Sequence, residues 1–216
     1  MMILIGMFDS PFVRRVAVTM NLLALPFEHR NWSVGKDFDR IREFNPLGRV
    51  PTLVLDDGES LIESAAILDY LDDLVGPARA LLPRSGRDRR EALRAMSIAV
   101  GAAEKGVLQV YESAFRPEEK RHEPWVDRCR VQMDGALAEL ERAAAGRGDR
   151  WLVGERMTQA DITTSCVFTF LCDAVGAGVA GAYAGLAGLA ERCERLSEFR
   201  ASKLAFAAPG KPSPPA

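Results

Sequence analysis

The chain has 216 residues, 48% of them apolar and 27% charged, with a formal net charge of −2. It is long enough to bury a sizeable core as one large domain or two small ones. A balance so close to neutrality gives no sign of nucleic-acid binding or of a polybasic membrane anchor.

Cys129, Cys166, Cys172 and Cys193 form no Cys-x-x-Cys pair, and His29 and His122 are the only imidazoles. That disfavours a zinc centre or a dithiol redox motif, and four scattered thiols suit a reducing, cytoplasmic setting better than a disulfide framework. Residues 1–8 run straight into Asp9 with no basic region before them, which reads as a strand and not as a signal peptide. The longest uncharged run, 174–190, is glycine-rich and slightly short for a membrane span.

In chain order, residues 2–7 form an apolar run of strand length. Ser10 then stands as N-cap with Pro11 at the first helical position, followed by Val13, Val16, Ala17, Met20 and Leu23 at helical spacing. Residues 28–34 read as a second strand, parallel to the first through a right-handed crossover. Residues 37–44 read as a short polar helix. A hairpin with an Asp56-Asp57-Gly58 turn follows, and then a helix over 64–74 with Ser64 as its N-cap. This β-α-β-α-β-β-α order implies a mixed sheet with helices on both faces.

Residues 77–83 are turn-rich, and beyond them no strand is predicted. Leu93, Met96, Val100, Ala103, Val107 and Val110 mark one stripe of a long helix. Val126, Cys129, Met133, Ala136, Leu140 and Ala143 mark a second, separated from the first by Arg116-Pro117 and able to pack beside it. Thr158-Gln159-Ala160-Asp161 is a capping box with Asp in place of Glu. It opens a segment, 162–171, that is apolar nearly all round and so suits a buried helix. The five glycines of 174–188 argue against a helix there, and the last helical stretch is predicted over 186–196. The reading is therefore an α/β domain over 1–76, a linker over 77–83, an all-α domain over 84–208 and a mobile proline-rich tail over 209–216.

Several residues could carry chemistry. The hydroxyl of Ser10 sits where orphan N–H groups and the helix dipole favour negative charge, though a plain helix cap would look the same. Pro51 opens a strand, where its missing N–H confines it to an edge or a special turn. Glu63-Ser64 precedes a helix, where a hydroxyl and backbone N–H groups make a carboxylate site or an ordinary cap.

The run Asn45-Pro46-Leu47-Gly48-Arg49-Val50-Pro51, the pair Glu63-Ser64 and the stretch Ser10-Pro11-Phe12-Val13-Arg14-Arg15-Val16 together resemble the glutathione S-transferase family. The likeness is to its serine-type, tau-like and bacterial members, and it covers nearly the whole chain. It implies a thioredoxin-like domain followed by an all-helical one, with glutathione as co-substrate and no metal or prosthetic group. Ser10 would stabilise the glutathione thiolate as a hydrogen-bond donor. A cis Val50-Pro51 bond would turn the Val50 backbone toward the cysteinyl part. Ser64 would hold the γ-glutamyl carboxylate and Glu63 the polar end of the same moiety. Phe12 is a further implied glutathione contact, and Lys36, Arg49 and Arg14 are weaker cationic candidates for the glycyl carboxylate, each equally readable as a solvated surface charge.

For a small hydrophobic electrophile, Phe12, Tyr111, Phe115 and Phe206 are candidate walls; core packing would explain them equally well. With Ser10 in place of a cysteine, and the first tyrosine only at Tyr70, conjugation or attack on a peroxide is favoured over thiol transfer. The resemblance also implies a homodimer. A non-catalytic, protein-binding transferase-like module and a glutathione binder with little turnover stand as alternatives.

Overall fold

The computed structural model describes residues 1–176 and 178–209; the predicted tail beyond Pro209 lies outside the described residues. The first domain is built from β1 (Met2–Ile5), α1 (Pro11–Leu22), β2 (Phe27–Arg30), α2 (Phe38–Arg42), β3 (Thr52–Val54), β4 (Ser60–Ile62) and α3 (Ser64–Val75). The sheet order is β2-β1-β3-β4: β1 and β2 run parallel, and β1–β3 and β3–β4 run antiparallel. Because successive strand residues face opposite sides, Leu4 and Leu53 join Val13, Val16, Ala17 and Met20 of α1 and Ile67, Leu68 and Leu71 of α3 in one core. Ile5 and Val54 face the other way, against Ile41 of α2. This is the thioredoxin-like arrangement that the motif order implies.

The second strand is shorter than its sequence suggests. Trp32 N–H donates back to the Arg30 carbonyl at 2.8 Å, which turns the chain off the ladder. Trp32 and Val34 then pack on the Ile5–Ile41–Val54 cluster from a loop. At the hairpin, Gly58 N–H reaches the Leu55 carbonyl at 3.0 Å and Leu55 N–H reaches Glu59 at 2.8 Å. After α3, the Asp72 carboxylate accepts the N–H groups of Leu81 (2.8 Å) and Leu82 (2.9 Å), so the linker is tied to the domain it leaves.

The second domain is helical among its described residues. It comprises α4 (Gly86–Phe115), a 3-10 turn (Glu118–Lys120), α5 (Glu123–Ala144), α6 (Gln159–Val175), α7 (Gly178–Ala182), α8 (Ala184–Glu194) and α9 (Ser197–Ala201). The capping box forms: Thr158 Oγ1 accepts Ala160 N–H at 3.2 Å while Asp161 accepts Thr158 N–H at 2.9 Å. The second Asp161 oxygen accepts Leu152 N–H at 2.7 Å, and the helix it starts is buried from Gln159 through Phe168.

Two expectations are corrected here. Helices occupy part of the glycine-rich 174–188 stretch, because the Glu141 carboxylate on α5 accepts Gly185 N–H (2.8 Å) and Leu186 N–H (2.9 Å), capping α8 from a distant part of the chain. The buried stripe of α4 also differs in part from the predicted one, since Met96, Ala103 and Val110 are buried but Leu93, Val100 and Val107 are not. Ala92, Ala95, Ala99, Ala102, Ala103 and Gly106 face the helical core, whereas Leu93 is 40% exposed and, with Val100 and Val107, borders the clefts described below.

The small-residue face lets α4 lie close against α6, and Gly106 marks the tightest point. A Cβ there would sit 2.3 Å from Leu171 Cδ2, in the core, while at Gly101 on the same helix nothing lies within 4 Å. Gly106→Ala is therefore expected to destabilise by about 1–3 kcal/mol through overpacking. Gly101→Ala should stabilise by roughly 0.5–1 kcal/mol through helix propensity. Urea titrations should move the two midpoints in opposite directions.

Candidate functional site

Where the first domain meets α4 and α6, two adjoining cavities open, one of about 370 Å³ and one of about 190 Å³. Phe12, Arg49 and Val50 line both.

Ser10 lies in the wall of the larger cavity as N-cap of α1 (φ −71°, ψ 123°), with its Oγ 3.5 Å from Val13 N. Arg14 N–H takes the Ser10 carbonyl at 2.9 Å. Pro11 has no N–H to offer, and among the described residues no partner is found for that of Phe12. The helix start thus presents a loosely engaged hydroxyl and a free backbone donor to an anion.

The 45–49 loop is folded by Asn45, whose Nδ2 donates to the Arg49 carbonyl at 2.8 Å and whose Oδ1 accepts Leu47 N–H at 3.0 Å. Beyond it the Val50–Pro51 bond is cis, as the resemblance implies. Among the described residues the Val50 main chain, which precedes β3, takes no turn or loop partner. Gly6, at the end of β1, is what brings Val50 and α1 together: a Cβ there would lie 2.5 Å from Val13 Cγ2 and 2.8 Å from Val50 Cβ.

Glu63 and Ser64 line the smaller cavity, but not in the expected capping arrangement. Glu63 itself takes the N-cap position, at φ +67°, and Ser64 is the first helical residue with no side-chain cap bond. A non-glycine residue held at positive φ costs about 1–3 kcal/mol and is typical of ligand sites. This turn swings the Ser64 hydroxyl inward, where it is 4% exposed and accepts Arg15 Nη2 at 2.7 Å. The Glu63 carboxylate stays largely exposed, 3.5 Å from Arg49.

Phe12, Tyr111, Phe115 and Phe206 all line the larger cavity. Tyr111 and Phe115 meet edge-on at 5.0 Å, and Phe206 meets Phe170 likewise at 5.7 Å. Burial raises the Tyr111 phenol above its ordinary range.

Two cationic candidates lie elsewhere. Lys36 is exposed on a turn closed by Asp37 N–H to the Ser33 carbonyl (2.7 Å) and lines neither cavity. Arg14 is buried on the far side of α1, paired with Glu194 at 2.6 Å and donating to the Ser202 and Phe199 carbonyls.

Residues that sequence reasoning missed include Trp32, Phe38 and Phe170 in the larger cavity and Arg15 in the smaller. Asp9 also lines the larger cavity; burial raises its pKa, and its Oδ2 accepts Ala207 N–H at 3.2 Å. Arg15 and Asp9 lie within or beside the 10–16 motif, where a charged residue next to an apolar face could have been noticed. The aromatics carry no such local signal.

Known proteins bear directly on this arrangement. Residues 4–79 match the glutathione S-transferase N-terminal domain model, and residues 123–202 match the C-terminal domain model. The Escherichia coli K12 protein described as uncharacterized GST-like protein YibF is 30% identical over 168 residues, covering 78% of this chain and 81% of that one. The chain belongs to the glutathione S-transferase family. Its fold matches a glutathione S-transferase of Methylobacterium radiotolerans, solved with glutathione sulfonate, at 30% identity and TM-score 0.86 over 100% of this chain and 98% of that one. A glutathione transferase family member of Pseudomonas fluorescens Pf-5, with bound glutathione, matches at 29% identity and TM-score 0.81 over 99% and 100%.

Within this family member, no group of three or more His, Cys, Asp or Glu side chains among the described residues is gathered to hold a metal ion. No described helix is long and apolar enough to cross a membrane. Its cysteines lie outside both cavities. Burial pushes the thiols of Cys166 and Cys193 up to about 12 and that of Cys172 to about 11. Because the thiolate is the reactive form, an aromatic disulfide reagent at pH 8 should label Cys172 slowly and the three buried cysteines only after unfolding. Counting thiols in buffer and then in denaturant checks this.

Proposed function

We propose that the protein is a glutathione transferase that activates the glutathione thiol for attack on a small hydrophobic electrophile or a peroxide. The observation that carries this reading is the order of groups along the two cavities. Ser64 and Glu63 lie in the smaller cavity, the Val50 backbone at the junction, and Ser10 beside the aromatic larger cavity. That order matches the tripeptide read from its γ-glutamyl end to its thiol. Relatives solved with glutathione and its sulfonate support the same reading.

In this reading Ser10 O–H and Phe12 N–H donate to the sulfur, stabilising the thiolate. A thiol of pKa about 8.5 is only a few per cent ionised at neutral pH, and donors at a helix N-terminus correct that. The thiolate then attacks an electrophilic carbon, expelling its leaving group, or one oxygen of a peroxide, where the S–O bond forms as the O–O bond breaks. That leaves the sulfenic acid of glutathione and an alkoxide that takes up a proton, and a second glutathione converts the sulfenic acid to the disulfide and water. The aromatic walls hold the apolar body of the second substrate. The protein would work as a cytoplasmic homodimer in detoxification, with glutathione as co-substrate and no bound cofactor.

Calorimetric titration with glutathione, followed by assay with a model aryl halide, tests this. Ser64→Ala should weaken glutathione binding by roughly tenfold, the loss of one hydrogen bond to a charged group. Ser10→Ala should bind within a few-fold of wild type and lose about 100-fold in kcat. Absence of binding to wild type at millimolar glutathione would overturn the reading.

Asp9 adds a pH signature. Its negative charge in the same cavity disfavours a second anion, so Asp9→Asn should lower the pKa of the bound thiol. The ascending limb of the kcat/KM profile for the electrophile at saturating glutathione, which titrates the bound thiol, should then move to lower pH by several tenths of a unit.

A further inference from the structure

We propose that Arg15 is the buried counter-charge of the smaller cavity, a positioning residue that holds Ser64 for the α-carboxylate of the γ-glutamyl group. This rests on the reading that the smaller cavity takes that end of glutathione.

The argument starts from two adjacent arginines treated differently. Arg14 and Arg15 are 4% and 2% exposed. Arg14 is neutralised by the Glu194 carboxylate at 2.6 Å and by two backbone carbonyls. Arg15, among the described residues, has no carboxylate within ion-pair distance. It donates to two neutral hydroxyls, Ser64 Oγ at 2.7 Å and Thr163 Oγ1 at 3.3 Å, and its buried Nε has no partner. Burying a cation without an anion is costly, and proteins retain such a group where an anion is to be bound. Burial lowers its pKa only to about 10, so it is charged at neutral pH.

The cavity it lines contains Ser64, Ala65 and the first turn of α3. Ile67 is the first residue of that helix whose N–H bonds back, to Glu63, at 3.0 Å, which leaves earlier N–H groups available. Ser64 Oγ has one proton to give and two lone pairs. With a lone pair taken by the guanidinium, its proton is left for an acceptor in the cavity, and the adjacent charge makes it a stronger donor. The carboxylates that line this space are Glu63 and Glu104. Glu63 acts on Arg15 through space but pairs with Arg49 at 3.5 Å, and neither carboxylate makes an ion pair with Arg15, so its N–H groups are engaged by neutral hydroxyls alone.

A ligand–residue cycle separates this role from mere packing. Wild type, Arg15→Met and Arg15→Lys would be titrated with glutathione and with 4-aminobutanoyl-cysteinyl-glycine, the same tripeptide without its α-carboxylate. Glutaryl-cysteinyl-glycine, which lacks the amine, is the control.

Wild type should lose about 100-fold on removal of the carboxylate. Arg15→Met should bind glutathione at least tenfold more weakly yet lose only a few-fold when the carboxylate goes, while its response to removal of the amine matches wild type. Arg15→Lys, which keeps the charge, should retain most of the carboxylate discrimination and serves if the methionine variant does not fold. Equal weakening of all three ligands by Arg15→Met would make Arg15 a structural strut and overturn the proposal, as would loss of the carboxylate discrimination in a folded Arg15→Lys. So would a wild type that binds glutathione but is indifferent to the carboxylate. A wild type that does not bind glutathione at all would instead bring down the reading of the site.

Discussion

The architecture depends on α1 being withdrawn from water from Val13 through Met20 while carrying two cations. Consecutive helical residues point about 100° apart, so Arg14 and Arg15 reach opposite neighbours. Arg14 ties α1 to Glu194 at the end of α8 and to the carbonyls of Phe199 within α9 and Ser202 just after it. Arg15 ties it to α3 and α6. Thr19 and Asn21 extend the same polar seam, to Gln159 at 2.8 Å and to Ser202 at 2.9 Å. The apolar residues between them pack on the sheet. One helix thus serves as inner layer of the first domain and as the surface on which the second is seated. Its N-terminus is thereby held at the seam where the cavities open.

The long helix α4 meets that seam from the other side with a division of labour along its circumference. Its alanine and glycine face gives up side-chain volume to bring backbones close, which is a packing function. Its larger aliphatic residues Leu93, Met96, Val100, Val107 and Val110 border the clefts instead. The bulky stripe keeps water off the ligand-facing walls, and the small one sets the distance between helices. A ligand spanning both cavities would touch residues of both domains.

Much of the fold was legible because local chemistry and global structure agree. The Ser10-Pro11 start of α1, the Asp-Gly hairpin and the Thr158–Asp161 capping box each satisfy backbone groups with residues close in sequence, so spacing alone reveals them. The failures share one cause, a decisive partner far along the chain. The Glu141 cap on α8 lies more than forty residues from the glycines it orders. The Ser64 hydroxyl, turned inward at Glu63, meets its partner Arg15 forty-nine residues away. On α4, hydrophobic periodicity found Met96, Ala103 and Val110 but also took in Leu93, Val100 and Val107, because a cleft wall and a core face both carry apolar residues.

The same distinction runs through the site. A half that binds peptide through main-chain groups and helix ends needs particular residue types at particular spacings, and Ser10, Asn45, Pro51, Glu63 and Ser64 carry that signal in the chain. A half that receives an apolar body needs only surface of the right shape, which residues from several elements supply. Trp32 comes from the loop after β2, Tyr111 and Phe115 from α4, Phe170 from α6 and Phe206 from beyond α9. No spacing rule links them; the fold does. Phe206 reaches the cavity because the segment after α9 is drawn across it, resting on Phe170 and tied by Ala207 N–H to Asp9. This wall of the larger cavity is therefore tied to the first domain by one main-chain N–H bond among the described residues, and under the proposed reading it is the part most free to change without disturbing the glutathione end.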